Sequence, residues 1–255
     1  MLESILSFFH HTFSSEVVSF FQLLVCWGFL FYLTKKYSST GVHVYIILMV
    51  IVSNIQVLKL AYFSWDNSPI ALGTVTFTST FLATDILTEY FGAAEAKKSI
   101  FLGFISFLLF TILMLLHLGI PPLPAGDALK FHDSHNAMMQ LFLPMPSIFI
   151  AGIAAYFSSQ FVDIYIYNGL KKLMDQKMLW VRSFFAAAIA GLIDLTVFSV
   201  IAWKILPPHP VDWHTILHTY VLGSLWPRLF VSFSGIPILY WIKRHAKSHC
   251  TPIDN

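Results

Sequence analysis

Charge is what this chain has least of. Only 11% of its 255 residues are Asp, Glu, Lys or Arg, against roughly a quarter in a soluble globular domain. So few ions cannot cover a water-facing surface. Cysteine is equally scarce. Cys26 sits in an apolar run and Cys250 in a polar tail, which argues against a disulfide framework and against a cysteine-built metal site. No Lys or Arg precedes Lys35. The first apolar run therefore lacks the basic n-region of a cleaved signal peptide and reads as a retained span. There is no Walker loop and no HExxH, and Ser234-Gly235 lacks the flanks of a serine nucleophile. These absences exclude nucleotide hydrolysis by the chain itself and argue against a zinc or serine hydrolase. The His214/His218 and His132/His135 pairs have helical spacing but no companion ligand, so interfacial histidines are expected rather than a metal site. A net charge of +2 gives no footprint for nucleic acid. No cofactor and no enzyme activity are expected.

What the chain has is apolar bulk: 57% hydrophobic residues, 25 phenylalanines and a mean hydropathy of +0.72. A bilayer core about 30 Å thick needs about 20 mostly apolar residues per helix. Seven runs qualify, near 17–34, 43–62, 71–91, 99–118, 147–169, 181–203 and 215–241. Lipid offers the backbone no hydrogen-bond partners, so each run is expected to be helical. Strands of a β-barrel are not anticipated, because short alternating segments are absent. The fold class is therefore an all-α polytopic membrane protein of about seven spans, forming a single domain over 1–255. The third run, rich in Thr and carrying two carboxylates, cannot face lipid and is placed inside the bundle.

The basic residues set the orientation. Lys35, Lys36, Lys97, Lys98, Lys171, Lys172, Lys177, Arg182, Lys243, Arg244 and Lys247 fall on one side, and Lys59, Lys130 and Lys204 on the other. This predicts an external N-terminus and a cytoplasmic C-terminus in a plasma membrane. The longest loop, about 119–146, is then external. Its Pro121-Pro122-Leu123-Pro124 run stops the fourth helix, and its later part is apolar enough to lie at the interface.

The polar residues within the spans carry most of the information, because a charge near the bilayer centre is costly unless paired or hydrated. Asp85 and Glu89 share one face of the third run. Gln160 and Asp163 lie in the fifth, Asp194 in the sixth, Arg228 in the seventh, and Asn54 in the second. A structural reading pairs Asp194 or Asp85 with Arg228 and uses Asn54 and Gln160 as bridges between helices. For Glu89, Asp163 and Arg182, near the cytoplasmic ends, it invokes snorkelling or capping. Taken together, Asn54, Asp85, Gln160, Asp194 and Arg228 come from five spans at comparable depth and suggest a central cavity. Carboxylates accept from amidine-like N–H groups, amides pair with lactam edges and aromatics stack on flat rings. A small planar heterocycle suits this set better than a sugar phosphate or a metal ion.

Four segments carry a resemblance. TFLATDILTEYFGAAEAKKSIFLGF holds Thr84, Asp85, Leu87, Glu89, Phe91, Gly92, Lys97 and Lys98. IAAYFSSQFVDIYIYNGLKK holds Ala155, Tyr156, Ser159, Gln160 and Asp163. LWVRSFFAAAIAGLIDLTVFSVIAW holds Trp180, Arg182, Ile193 and Asp194, and SNIQVLKL holds Asn54, Ile55 and Lys59. In order and spacing these resemble the queuosine precursor transporter family, grouped with vitamin-uptake-type transporters, over about residues 45–242. Arg228 and Ile236-Pro237 stand where many members carry Lys and a Thr-Pro pair. The resemblance implies a six-helix core similar to the substrate-binding components of energy-coupling-factor transporters, with an extra N-terminal span at about 17–34. It implies uptake of 7-deazaguanines (preQ0, preQ1) or queuine for tRNA queuosine salvage across a bacterial inner membrane. Asn54, Asp85, Glu89, Gln160, Asp163, Asp194 and Arg228 would be the substrate contacts. Coupling to a shared ATPase module, to protons, or to neither stays open. So do another vitamin-like heterocycle as the ligand and, less favoured, a membrane enzyme.

Overall fold

The structure, a computed structural model, describes residues 7–8, 12–64, 66–122, 129–143, 145–174, 177–207 and 209–246. Residues 123–126 of the Pro-rich run, Lys247 and Cys250 lie outside the described residues, as do the side chains of Lys130, His132, Lys243 and Arg244.

Helix α1 (Ser15–Gln56) folds back on itself at Ser38, whose φ of 52° and ψ of −138° break the helical path. The arms 15–37 and 39–56 run antiparallel. Gln22 Nε2 donates to Gln56 Oε1 across them at 3.2 Å. Near the turn, Gly41 packs so tightly on the Leu33 carbonyl that a Cβ there would collide with it. The first two predicted spans are these arms. The second stops at Gln56 rather than near 62. Residues beyond it form β1 (Leu60–Phe63), which pairs antiparallel with β2 (Asp66–Ala71), Leu60 opposite Ala71 and Ala61 opposite Ile70. This hairpin departs from the all-helical expectation. A short apolar run does not by itself distinguish strand from helix.

Helix α2 (Thr74–Tyr90) starts at Gly73, and α3 (Ala93–Leu118) follows Gly92. As expected from the prolines, α3 ends before Pro121. Then come α4 (Leu129–Phe142) in the long loop, α5 (Met145–Leu173), and α6 (Leu179–Val200), which continues as a π-helical turn through Ile205. A helical turn, Trp213–Thr215, and a π-helical segment, Ile216–Leu222, lead into α7 (Gly223–Ala246), which carries Pro227 and Pro237.

Among the described residues, five helical stretches are long and apolar enough to cross a membrane, with α1 counted once despite its two arms. The chain is a multi-pass helical membrane protein. Its exterior confirms the solvent: Phe101, Ile105, Leu109, Ile112 and Leu116 make an exposed apolar stripe along α3, a surface suited to lipid and not to water. Its centre is α2, which packs on α1, α3, α5, α6 and α7. Every residue from Thr78 to Thr88 is buried, as the Thr-rich, acidic sequence of this run requires. One end of the bundle gathers the Ser38 turn, the α2–α3 turn and the start of α6, held by His43–Glu95 at 2.7 Å and by Tyr90 donating to the Leu239 carbonyl at 2.9 Å. The other end carries the hairpin, α4 and the π-helical segments.

Candidate functional site

Of the five residues expected at comparable depth, Asn54, Asp194 and Arg228 line one cavity while Asp85 and Gln160 do not, and Asp163 and Glu89 complete the seven singled out from the sequence. They fall into three tiers along the bundle.

At the hairpin end lies a cavity of about 90 Å³. Asn54, Asp194 and Arg228 face it, together with Phe77, Trp203 and Tyr220. Arg228 Nη1 stands 2.6 Å from Asp194 Oδ2. The pair is an ion contact without hydrogen-bond alignment, and Arg228 Nε is also unpartnered. The guanidinium carbon lies 5.2 Å from the Phe77 ring centre, a cation–π contact. Ser159 donates to the other Asp194 oxygen at 3.4 Å. Asn54 donates to the Val50 carbonyl at 2.8 Å. Its Oδ1 stands 2.8 Å from where a Cβ on Gly152 would be, so a glycine is needed for α5 to approach this close. Trp203 and Tyr220, one from each π-helical segment, stack at 5.2 Å. The two segments thus supply an aromatic wall. The floor is Gly73, whose φ of +94° and close approach to the Ser53 carbonyl (2.8 Å from a notional Cβ) admit no side chain.

The middle tier is sealed. Asp85 and Asp163 are 1% and 0% exposed. Ser183 donates to Asp85 Oδ2, and Thr84 donates to Asp163 Oδ2 at 3.3 Å. The second oxygen of each carboxylate has no partner, and Thr84, the residue that precedes Asp85, links the two across α2 and α5. Gln160 donates to Thr80 at 2.9 Å while its Oε1 is left unpartnered. None of these three residues lines the cavity.

The third tier is at the opposite end. Glu89 accepts from Arg182 at 3.0 Å and from Tyr167 at 3.1 Å, with Lys171 Nζ at 3.1 Å. Arg182 is fully buried and lies 5.3 Å from the Tyr167 ring centre. Snorkelling or capping therefore does not describe Glu89, Asp163 and Arg182. Helices α2, α5 and α6 converge there, so that Asp163 and Arg182 are fully buried and the Glu89 side chain nearly so, with Lys171 at the edge. Arg182, counted from the sequence among the loop cations, belongs to the core.

Four residues of these tiers carry no mark of their own in the sequence, Ser183, Phe77, Trp203 and Tyr220, whereas Thr84 and Ser159 are among the motif residues and Tyr167 shares the helix face of Gln160 and Asp163. Ser183 directly follows Arg182 in the Trp-x-Arg motif, and that adjacency was the available signal. His214 and His218 stack their rings at 4.3 Å on the segment entering α7.

Ionisable residues converge from several spans of this multi-pass membrane protein, with a small polar and aromatic cavity at one end. The chain belongs to the family described as "Putative vitamin uptake transporter", whose model matches residues 71–242. It is 29% identical over 216 residues, 84% of this chain and 88% of the relative, to a "Probable queuosine precursor transporter" of Bacillus subtilis. It is 30% identical over 131 residues, 51% of each chain, to a protein of the same description from Haemophilus influenzae. No solved structure matches.

Proposed function

We propose that the protein imports a queuosine precursor, a 7-deazaguanine such as preQ0 or preQ1, or queuine, through the cavity at the hairpin end. The observation that carries this is the cavity's chemistry. A carboxylate–guanidinium pair and a carboxamide face an aromatic wall, in a chain whose relatives bear the queuosine precursor name. Asp194 would accept from the amidine-like N–H groups, Asn54 would read the lactam edge and Arg228 would contact its oxygen. Trp203, Tyr220 and Phe77 would stack on the ring. Asp85, Gln160 and Asp163, in the middle tier, and Glu89, at the opposite end, lie off the cavity lining and on this reading serve transport without touching the bound ring.

The seven-span count, with both arms of α1 and the short α2 as separate spans, belongs to the same reading. So does a single domain with a core like that of energy-coupling-factor binding components, in a bacterial inner membrane. The lysine-rich end would be cytoplasmic, so the cavity opens outward. The test is uptake in a salvage-dependent strain without its own transporter. Queuosine should reappear in tRNA on supply of preQ0, preQ1 or queuine, and its failure to do so with all three overturns the assignment. The family's description favours one second reading, another vitamin-like heterocycle. Binding to a panel of purines and vitamins separates the two. Recruitment of a shared ATPase predicts that its subunits co-purify with the chain.

A further inference from the structure

The interior charges do not cancel. Four carboxylates (Asp85, Glu89, Asp163, Asp194) face three cationic groups (Lys171, Arg182, Arg228). Asp194 takes Arg228, and Glu89 takes both Arg182 and Lys171. Among the described residues, no cation lies within ion-pair distance of Asp85 or Asp163. Each keeps one oxygen without a partner, and beside them the fully buried Gln160 leaves its own carbonyl oxygen unpartnered. Two bare carboxylates at that depth would cost several kcal/mol each. One positive charge placed between them removes the deficit. The remaining single negative charge then balances the surplus of the Glu89–Arg182–Lys171 cluster one helical turn away.

We propose that Asp85 and Asp163 form a proton-binding site that holds one proton between them, and that this proton travels with the substrate. The proton adds to a free carboxylate oxygen of one residue, which becomes a neutral carboxyl, and its charge leaves with it on release. The partners already present suit a proton better than a metal ion. Ser183 spends its hydroxyl hydrogen on Asp85, and Thr84 divides its one between Asp163 and the Phe81 and Thr80 carbonyls, while no group of three or more acidic, His or Cys residues suited to hold a metal occurs among the described residues. The charged and titratable groups next to the pair are Glu89, four residues further along α2, and Tyr167 of α5 and Arg182 of α6, both bonded to Glu89. Others on the packed helices are already engaged: Tyr45 of α1 with Ser79, Glu95 of α3 with His43, and Arg228 of α7 with Asp194. Arg182 keeps two nitrogens without partners, and Ser183, the residue that follows it, donates to Asp85. When the proton leaves, Arg182 is the cation free to swing from Glu89 towards the pair, which would loosen the closed end.

The transport half of this inference rests on the proposed function, and the binding half does not. Infrared spectroscopy of the purified full chain at neutral pH, with no substrate, should show the C=O stretch of one buried protonated carboxyl. The band should vanish in Asp85→Asn and in Asp163→Asn, shift in Ser183→Ala, and persist in the exposed variant Tyr165→Phe. Its absence from the wild type, or its survival in both Asn variants, overturns the site. In proteoliposomes, preQ1 accumulation should follow an imposed proton gradient, and Asp163→Asn should lose that response. Accumulation driven by sodium at equal pH, or an undiminished gradient response in Asp163→Asn, overturns the coupling. If preQ1 is not moved at all while the infrared band behaves as described, the substrate assignment falls and the proton site stands.

Discussion

Arg228 and Glu89 are the residues whose loss the structure makes costly. Arg228→Ala leaves Asp194 buried beside the cavity without a counter-ion, and breaking a buried pair in this way costs about 3–5 kcal/mol. We expect a lowered Tm in detergent and loss of precursor uptake. The double variant Asp194→Asn/Arg228→Gln should recover part of the Tm but none of the uptake, because the two charges act as a unit. Glu89→Gln strands a fully buried Arg182, and thermal unfolding should report a destabilisation of similar size. A Tm unchanged in both single variants would refute this account of the charged tiers. From the sequence, the Asp194–Arg228 pair was visible as one of two options for Arg228. The burial of Arg182 was not visible. Positions near a helix end read as solvent-reachable until it is known that neighbouring helices meet over them.

Elements differ in how far their own residues specify them. Ser38 holds a backbone conformation that belongs to glycine and costs about 1–3 kcal/mol. Ser38→Gly should therefore raise the Tm. Gly73→Ala should lower it, because the left-handed φ and the Ser53 carbonyl both reject a Cβ. The reverse outcomes in circular dichroism melts would show that these turns are not what orders α1 and α2. At the entry to α7, Asp212 accepts from the Thr215 amide and hydroxyl, and these bonds hold its carboxyl below the usual range. A depressed folded value means that this cap is fully formed above the ordinary aspartate pKa and is lost as pH falls through the lower one. The helices were legible because length and apolar content together leave lipid-embedded backbone no other structure. The hairpin was not legible, because Leu60–Phe63 continues the apolar run of α1 with no Gly or Pro between them. The split of the polar set was hidden too. Depth along a helix can be counted from sequence, but which wall opens on a cavity depends on Gly152 and Gly73, whose value lies in the side chains they lack.

At the scale of the molecule, the proposed orientation puts the lysine-rich end in the cytoplasm and the cavity end outside. In a Cys250→Ser background, with Cys26 buried, Leu60→Cys should react with an impermeant maleimide added to intact cells. Tyr37→Cys, exposed beside the Ser38 turn, should react only after permeabilisation. The opposite pattern would invert the transporter.

The central position of α2 has a consequence for how the chain is made. A helix whose residues Thr78 to Thr88 are all buried in the finished molecule has little to recommend it to lipid beforehand. Thr74–Tyr90 is absent from the stretches long and apolar enough to span alone, and a single aspartate at mid-membrane adds about 2.5–3.5 kcal/mol against insertion. The ribosome delivers α2 before α3, α5, α6 and α7 exist to surround it. It must wait at the translocon, or slip back, until the strongly apolar α3 enters as its mate. A nascent chain truncated after Tyr90 should leave α2 outside the bilayer, and one extended past Leu118 should bring it in.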